Sequence, residues 1–112
     1  QLSEELFTFT PGVNFDHLYM IELLEHLSDP FSLLSEAMNT ISDKGTISFT
    51  TAINIPQFDH LYNFEVADKK LEQFIHEKGF HLATKVYIPH ENLKGLEAAN
   101  CYYEIKRGPR LV

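Results

Sequence analysis

The sequence predicts one α/β domain, because stretches with strand character alternate with stretches at helical spacing along its 112 residues. Four strands are expected, at residues 15–21, 46–52, 80–88 and 101–106, with a short additional strand at residues 6–9. The first of the four is a largely apolar run, which favours a buried strand. The second is rich in Thr, Ile and Phe, which are typical of strands. Strands that alternate with helices favour a mainly parallel sheet.

Two helices are predicted between these strands. The first begins at Asp29 and Pro30, because an Asp side chain caps free amides and Pro suits the first helical position. It ends near residues 43–45, and one apolar face is formed by Phe31, Leu33, Leu34, Ala37, Met38 and Ile41. The second helix covers about residues 65–78 and closes at Gly79, since glycine readily adopts a left-handed helix end. The predicted order is β-α-β-α-β-β, with the last strand antiparallel.

Composition and charge argue against several classes of protein, among them proteins that bind long nucleic acids and proteins that span membranes. The hydrophobic share of 44% is ordinary for a globular domain. The formal net charge of -7 argues against binding to a long nucleic acid, which requires a basic surface. No run approaches the roughly 18–20 apolar residues of a membrane span. The one cysteine, Cys101, allows no disulfide within the chain, and we expect a cytoplasmic protein.

Four local patterns, in order, resemble class I S-adenosylmethionine-dependent methyltransferases. Residues 15–27 (FDHLYMIELLEHL), followed by Asp-Pro, are similar to the family's fourth strand and the loop after it. Residues 44–51 (KGTISFTT) resemble its fifth strand, although Lys44 stands where a glycine is common. Residues 71–80 resemble the helix before the sixth strand, and residues 102–107 (YYEIKR) resemble the seventh strand. The resemblance implies a partial Rossmann-like methyltransferase sheet, and S-adenosylmethionine as cofactor.

The family's glycine-rich cofactor turn is missing from this sequence. Its five glycines stand at positions 12, 45, 79, 95 and 108, and no two form a Gly-x-Gly pair. Such turns let the backbone approach a ligand closely. We therefore expect residues 1–112 to be a single methyltransferase-like domain that lacks the amino-terminal cofactor-binding motif. Because the sequence begins at Gln1, we also expect a processed, cut or partial product.

The best candidate for a catalytic or metal-binding group consists of Glu22, Glu25 and His26, with His60 after the next strand. One helical turn would place the two carboxylates on one face. Two carboxylates with one or two imidazoles suit Mg, Mn or Fe, and a metal can activate an acceptor hydroxyl. This ExxEH segment resembles that of metal-dependent O-methyltransferases. Two other interpretations stay open, namely contact with the methyl acceptor or cofactor, and a purely structural role.

Met20 and Ile21 end the predicted first strand. Ligands of open parallel sheets bind outside the carboxyl ends of strands. In the family the backbone at this point approaches the methionine part of the cofactor, so the resemblance implies a cofactor contact here. Packing in the core is the alternative for both residues.

The sequence leaves two functions open. The first is methyl transfer to an oxygen, or alternatively a nitrogen, of a small-molecule, carrier-linked or short RNA acceptor, with Glu25, His26 or His60 as catalytic base or metal ligand. The second is a non-catalytic module for dimerisation or partner binding. In either case a second copy, or a missing amino-terminal half, is expected to cover the exposed sheet edge. We expect the piece alone to be inactive, and we expect no membrane partner.

Overall fold

A computed structural model of the chain describes residues 14–53, 69–89 and 99–109. Within them, β1 (Phe15–Met20) leads into a short 3-10 helix (Leu24–His26) and then α1 (Pro30–Thr40). β2 (Ile41–Ile53), α2 (Lys69–Glu77), β3 (Phe80–Pro89) and β4 (Ala99–Arg107) follow. The predicted strand at residues 6–9 and the predicted helix start at residues 65–68 lie outside the described residues, as does His60.

The four described strands form one mixed sheet in the order β1-β2-β4-β3. β1 is parallel to β2, whereas β4 is antiparallel to both β2 and β3. The α/β class and the antiparallel last strand are thus confirmed. β1, β2 and β3 run in one direction, as expected of a mainly parallel sheet, and the reversed β4 lies between β2 and β3. The segment between β3 and β4, residues 90–98, is shorter than the dozen or more residues that a parallel crossover requires.

Both helices pack on the same face of the sheet. One core cluster joins α1, through Leu34 and Met38, to α2, through Leu71 and Ile75. The sheet residues of this cluster share a face by register: Leu18, Met20, Ile47, Phe49, Ile53, Ala99, Cys101, Tyr103 and Ile105. We call this the helix face. The opposite side, the open face, carries His17, Tyr19, Ser48, Tyr102, Val86 and Ile88, and no described helix packs there.

β1 is less buried than its sequence suggests. Among the described residues it pairs with β2 alone, so one of its edges is free. Tyr19 is 66% exposed on the open face, where the His17 ring stacks on it with centroids 4.1 Å apart. His17 Nε2 also lies 2.7 Å from Ser48 Oγ. The prediction of a buried strand is therefore wrong for the described part of the chain, since an edge strand without a covering layer stays in contact with solvent.

The boundary between α1 and β2 also differs from the prediction. The helix ends at Thr40, whose hydroxyl donates to the carbonyl oxygens of Glu36 and Ala37. Ile41 is the first residue of β2 rather than the last residue of the helical face. Its side chain is nevertheless buried in the core. Ile41 therefore fitted the apolar spacing of the predicted helix although it belongs to β2, because its side chain enters the same core.

The start of α1 matches the prediction at Asp29 and Pro30. Asp29 is the N-cap, and its carboxylate accepts bonds from the Ser32 amide at 3.3 Å and the Ser32 hydroxyl at 2.7 Å. These hydrogen bonds, the hydroxyl bond first, hold the pKa of the Asp29 carboxyl below its ordinary value. The carboxylate therefore stabilises the fold above the ordinary pKa of Asp, and this contribution is lost as the pH falls through the lowered value.

Replacing Asp29 with Ala is expected to lower the free energy of unfolding by about 1 kcal/mol, because a helix amide loses its acceptor. Urea unfolding at neutral pH measures the loss. Asp29→Asn is the matched control, since it keeps the cap without the charge and should retain most of the stability. An Asn variant as unstable as the Ala variant would contradict the capping role.

Candidate functional site

The carboxyl ends of β1 and β2 meet at one edge of the sheet, because the two strands are parallel. The chain turns sharply after β1, and Glu22 adopts a positive φ of 54° there. Few non-glycine residues take this conformation without support from their surroundings. The Glu22 amide donates a hydrogen bond of 2.7 Å to Thr50 Oγ1 on β2, and this bond holds the turn against the sheet.

Met20 and Ile21, the predicted cofactor contacts, have opposite environments. Met20 is 4% exposed and packs in the core on the helix face, as the alternative interpretation held. Ile21 is 51% exposed at the strand end. A cofactor at this edge would meet the Ile21 side chain and the backbone of the turn, rather than the Met20 side chain. Cofactor binding at these two positions stays a prediction.

The two carboxylates of the ExxEH segment do not share a helical face. Glu22 precedes the 3-10 helix and is exposed, whereas Glu25 lies within the helix and is 2% exposed. In residues 14–53, 69–89 and 99–109 no group of three or more His, Cys, Asp or Glu could hold a metal ion. The described residues therefore give no support to the metal site that the spacing suggested. His60 lies outside the described part of the chain.

His26 ends the 3-10 helix and is half-buried. The helix is closed by backbone bonds from the His26 amide to Leu23 O at 3.0 Å and from the Leu27 amide to Leu24 O at 3.2 Å. Leu24 and Leu27 are buried and anchor the helix in the core. Glu25 and His26 thus follow the carboxyl end of β1 by a few residues, in a 3-10 helix that contacts β2. An imidazole there can accept or donate a proton.

Thr50 is a residue of the site that the sequence reasoning did not single out. Its hydroxyl fixes the Glu22 turn across 28 positions of the sequence. The only local sign was a Thr in a strand similar to the family's fifth strand, and Thr is common in strands.

Cys101, by contrast, is buried, and burial raises the pKa of its thiol. It is therefore poorly suited to be a nucleophile.

Replacing Thr50 with Val is expected to lower the free energy of unfolding by about 1 kcal/mol and to speed hydrogen exchange at the Glu22 amide. Valine keeps the branched shape but offers no acceptor to that amide. Exchange followed by NMR and urea unfolding measure the two effects. Thr50→Ser retains the hydroxyl and should keep the protection. Equal exchange rates in the Val and Ser variants would contradict this role of the hydroxyl.

No helix in the described residues is long and apolar enough to cross a membrane. No protein-family model matches the chain, and no curated protein matches it significantly.

Solved structures do match. The magnesium protoporphyrin IX methyltransferase of Synechocystis PCC 6803, with bound S-adenosylhomocysteine, aligns with a TM-score of 0.65 at 13% identity. This alignment covers 87% of the chain and 47% of that protein. An O-methyltransferase from a polyketide synthase of Brevibacillus brevis, in complex with S-adenosyl-L-homocysteine, aligns with a TM-score of 0.70 at 12% identity. It covers 95% of the chain and 48% of that enzyme.

The chain has a methyltransferase-like fold. The [4+2]-cyclase SpnF aligns as well, with a TM-score of 0.70 at 9% identity over 93% of the chain and 54% of that protein. The chain spans about half the length of each of these three structures. At these identities the likeness concerns the fold alone, and the same fold can carry different chemistries.

Proposed function

We propose that the chain is the carboxyl-terminal part of an S-adenosylmethionine-dependent methyltransferase that methylates an oxygen of a small or carrier-linked acceptor. The observation that carries this proposal is the superposition of 95% of the chain on an O-methyltransferase bound to S-adenosyl-L-homocysteine. The resemblance of residues 15–27 and 44–51 to methyltransferase motifs supports it independently. Fold likeness would not suffice alone, because the cyclase shares it.

Most of the cofactor site would come from strands that extend the sheet at the free edge of β1. Three observations support this position. β1 pairs with β2 alone among the described strands. Tyr19 and Ile21 are 66% and 51% exposed, as expected of side chains that a further layer would cover. The chain also has no Gly-x-Gly turn of its own.

Bound S-adenosylmethionine would supply the methyl group in this proposal. The half-buried His26 would take the proton of the acceptor hydroxyl, and the buried Glu25 would fix the position of the 3-10 helix that carries it. His60 is a second candidate base. The turn at Ile21 and Glu22, held by Thr50, would shape the edge where cofactor and acceptor meet.

The test is calorimetric titration with S-adenosylhomocysteine of two proteins: this 112-residue chain, with and without Mn²⁺, and the product of the complete reading frame that contains it. We expect micromolar binding by the complete product and none by the chain alone. We also expect a Gly-x-Gly turn upstream. A complete product that binds no S-adenosylhomocysteine would refute the proposal. It would favour the non-catalytic binding module instead.

His26→Ala in the complete product tests the catalytic assignment. If His26 is the general base, methyl transfer should fall by about 10²- to 10⁴-fold while binding of S-adenosylhomocysteine persists. His76→Ala is the matched control, because His76 is exposed on α2 just before the amino end of β3, on the opposite side of the sheet from the carboxyl ends of β1 and β2. Equal activities of the two variants would remove His26 from the mechanism and leave the binding result intact.

A further inference from the structure

The turn after β1 holds the backbone in a conformation that a glutamate side chain disfavours. Among the described residues other than glycine, Glu22 alone has a positive φ, at 54°. The left-handed region is costly for a residue with a Cβ, and Glu is not one of the polar residues that adopt it readily. Thr50 Oγ1 accepts a hydrogen bond of 2.7 Å from the Glu22 amide and so fixes the turn. Residues held in such conformations cluster at active sites and ligand-binding sites.

The Glu22 carboxylate has no partner of opposite charge. The side chain is exposed, and it forms no ion pair within the part of the chain that the structure describes. Residues 1–43 contain no Lys or Arg, so no basic side chain precedes or closely follows it in the sequence. The carboxyl ends of β1 and β2 contain none either. Glu22 therefore provides a fixed negative charge that a cationic ligand would neutralise.

This charge lies at the edge where the proposed function places the cofactor. β1 and β2 are parallel, and ligands of such sheets bind outside the carboxyl ends of the strands. S-adenosylmethionine carries two cationic groups, a sulfonium and an α-ammonium group, whereas S-adenosylhomocysteine carries only the ammonium group. We infer that the Glu22 carboxylate binds a cationic group of S-adenosylmethionine, and that the left-handed turn serves to direct this side chain to the cofactor. The inference rests on the proposed methyltransferase function.

Calorimetric titration of the complete product with each of the two compounds tests this contact. EDTA is present throughout, so that no metal ion can bridge the carboxylate and the ligand. Glu22→Gln keeps the size of the side chain but removes its charge, and it should weaken binding of S-adenosylmethionine by about tenfold. Glu36→Gln is the matched control, because it removes an exposed carboxylate from α1 and changes the net charge equally. It should leave the binding of both compounds unchanged.

Comparison of the two compounds identifies the cationic group. A loss confined to S-adenosylmethionine would assign the carboxylate to the sulfonium, and an equal loss for both compounds would assign it to the ammonium group. Unchanged binding by Glu22→Gln would overturn the inference, while binding by the wild-type product would still support the proposed function. An equal loss in Glu36→Gln would overturn it too, since the effect would then be one of net charge. A wild-type product that binds neither compound would refute the proposed function, and the inference with it.

Glu22→Gly separates the backbone of the turn from its side chain. Glycine adopts a positive φ without steric cost, so this variant of the complete product should unfold at a urea concentration at least as high as the wild type. It should nevertheless bind S-adenosylmethionine as weakly as Glu22→Gln does. Retained stability with lost binding is typical of a residue that serves a ligand rather than the fold. Glu22→Ala keeps the steric cost, and a Gly variant less stable than this Ala variant would overturn the inference.

Discussion

Replacing Phe49 with Ala is expected to lower the free energy of unfolding by about 3–5 kcal/mol. Phe49 is 0% exposed on β2, and its ring stacks on Tyr103 of β4 with centroids 5.0 Å apart. The two residues are partners across the central strand pair of the sheet. Both belong to the single core cluster into which α1 and α2 pack. Truncation would thus leave a cavity where two strands and the helix layer meet.

Phe49→Leu is the control for this substitution. It keeps most of the volume without the ring contact, and we expect a loss of about 1 kcal/mol. Urea unfolding followed by circular dichroism measures both variants against the wild type. A domain of this size has a total stability of about 5–15 kcal/mol, so the Ala variant would lose a large share of it. Losses of equal size in the two variants would show that Phe49 does not hold the layers together through its ring.

Replacing Gly45 with Ala is expected to lower the free energy of unfolding by about 1–3 kcal/mol and to disturb β1. An added Cβ would lie 2.5 Å from Ile41 Cγ1 and 2.9 Å from the backbone oxygen of Asp16. The Ile41 side chain has little freedom, because it is buried in the core. The Asp16 oxygen belongs to the β1 backbone, so β1 would have to shift relative to β2. Urea unfolding and amide exchange of β1 measure these effects.

Gly79→Ala separates crowding from backbone strain. Gly79 has a φ of +80°, and apart from its chain neighbours no atom lies within 4 Å of the position its Cβ would take. Its substitution should cost about 1–2 kcal/mol through the left-handed conformation alone. The amides of β1 should keep their exchange rates in this variant. Unchanged exchange in β1 of the Gly45→Ala variant would contradict the close approach between Gly45 and Asp16.

The parts of the fold that the sequence predicted correctly depend on local chemistry. Asp29 and Pro30 marked the start of α1, because capping and the fixed proline φ act within one turn. Gly79 was expected in a left-handed helix end, and its φ is positive. The alternation of strand and helix patterns indicated the α/β class. Each of these sequence patterns spans a few residues, and it therefore predicts local structure without knowledge of distant contacts.

The arrangement of the candidate site residues was not predicted by their spacing in the sequence. The spacing of Glu22 and Glu25 suggested a shared helical face, yet Glu22 turns with a positive φ and is exposed, whereas Glu25 is buried. The bond from the Glu22 amide to Thr50 favours this turn, and it joins residues 28 positions apart. The expectation that residues three apart share a face holds only in a continuous helix. It fails here because the chain turns at Glu22, where Thr50 of another strand binds the backbone. Assignment of His60 stays a prediction.

By itself, the sequence determined the α/β class, the start of α1 at Asp29, the left-handed glycine that follows α2 at Gly79, and the resemblance to methyltransferases. The tertiary structure decided that β4 lies between β2 and β3, that both helices cover one face, and that β1 and β3 are free edges of the described sheet. Strand order and edge exposure depend on pairings between segments far apart in the chain. Alternation along one strand shows which residues share a face, but it does not show which strand, if any, lies beside them.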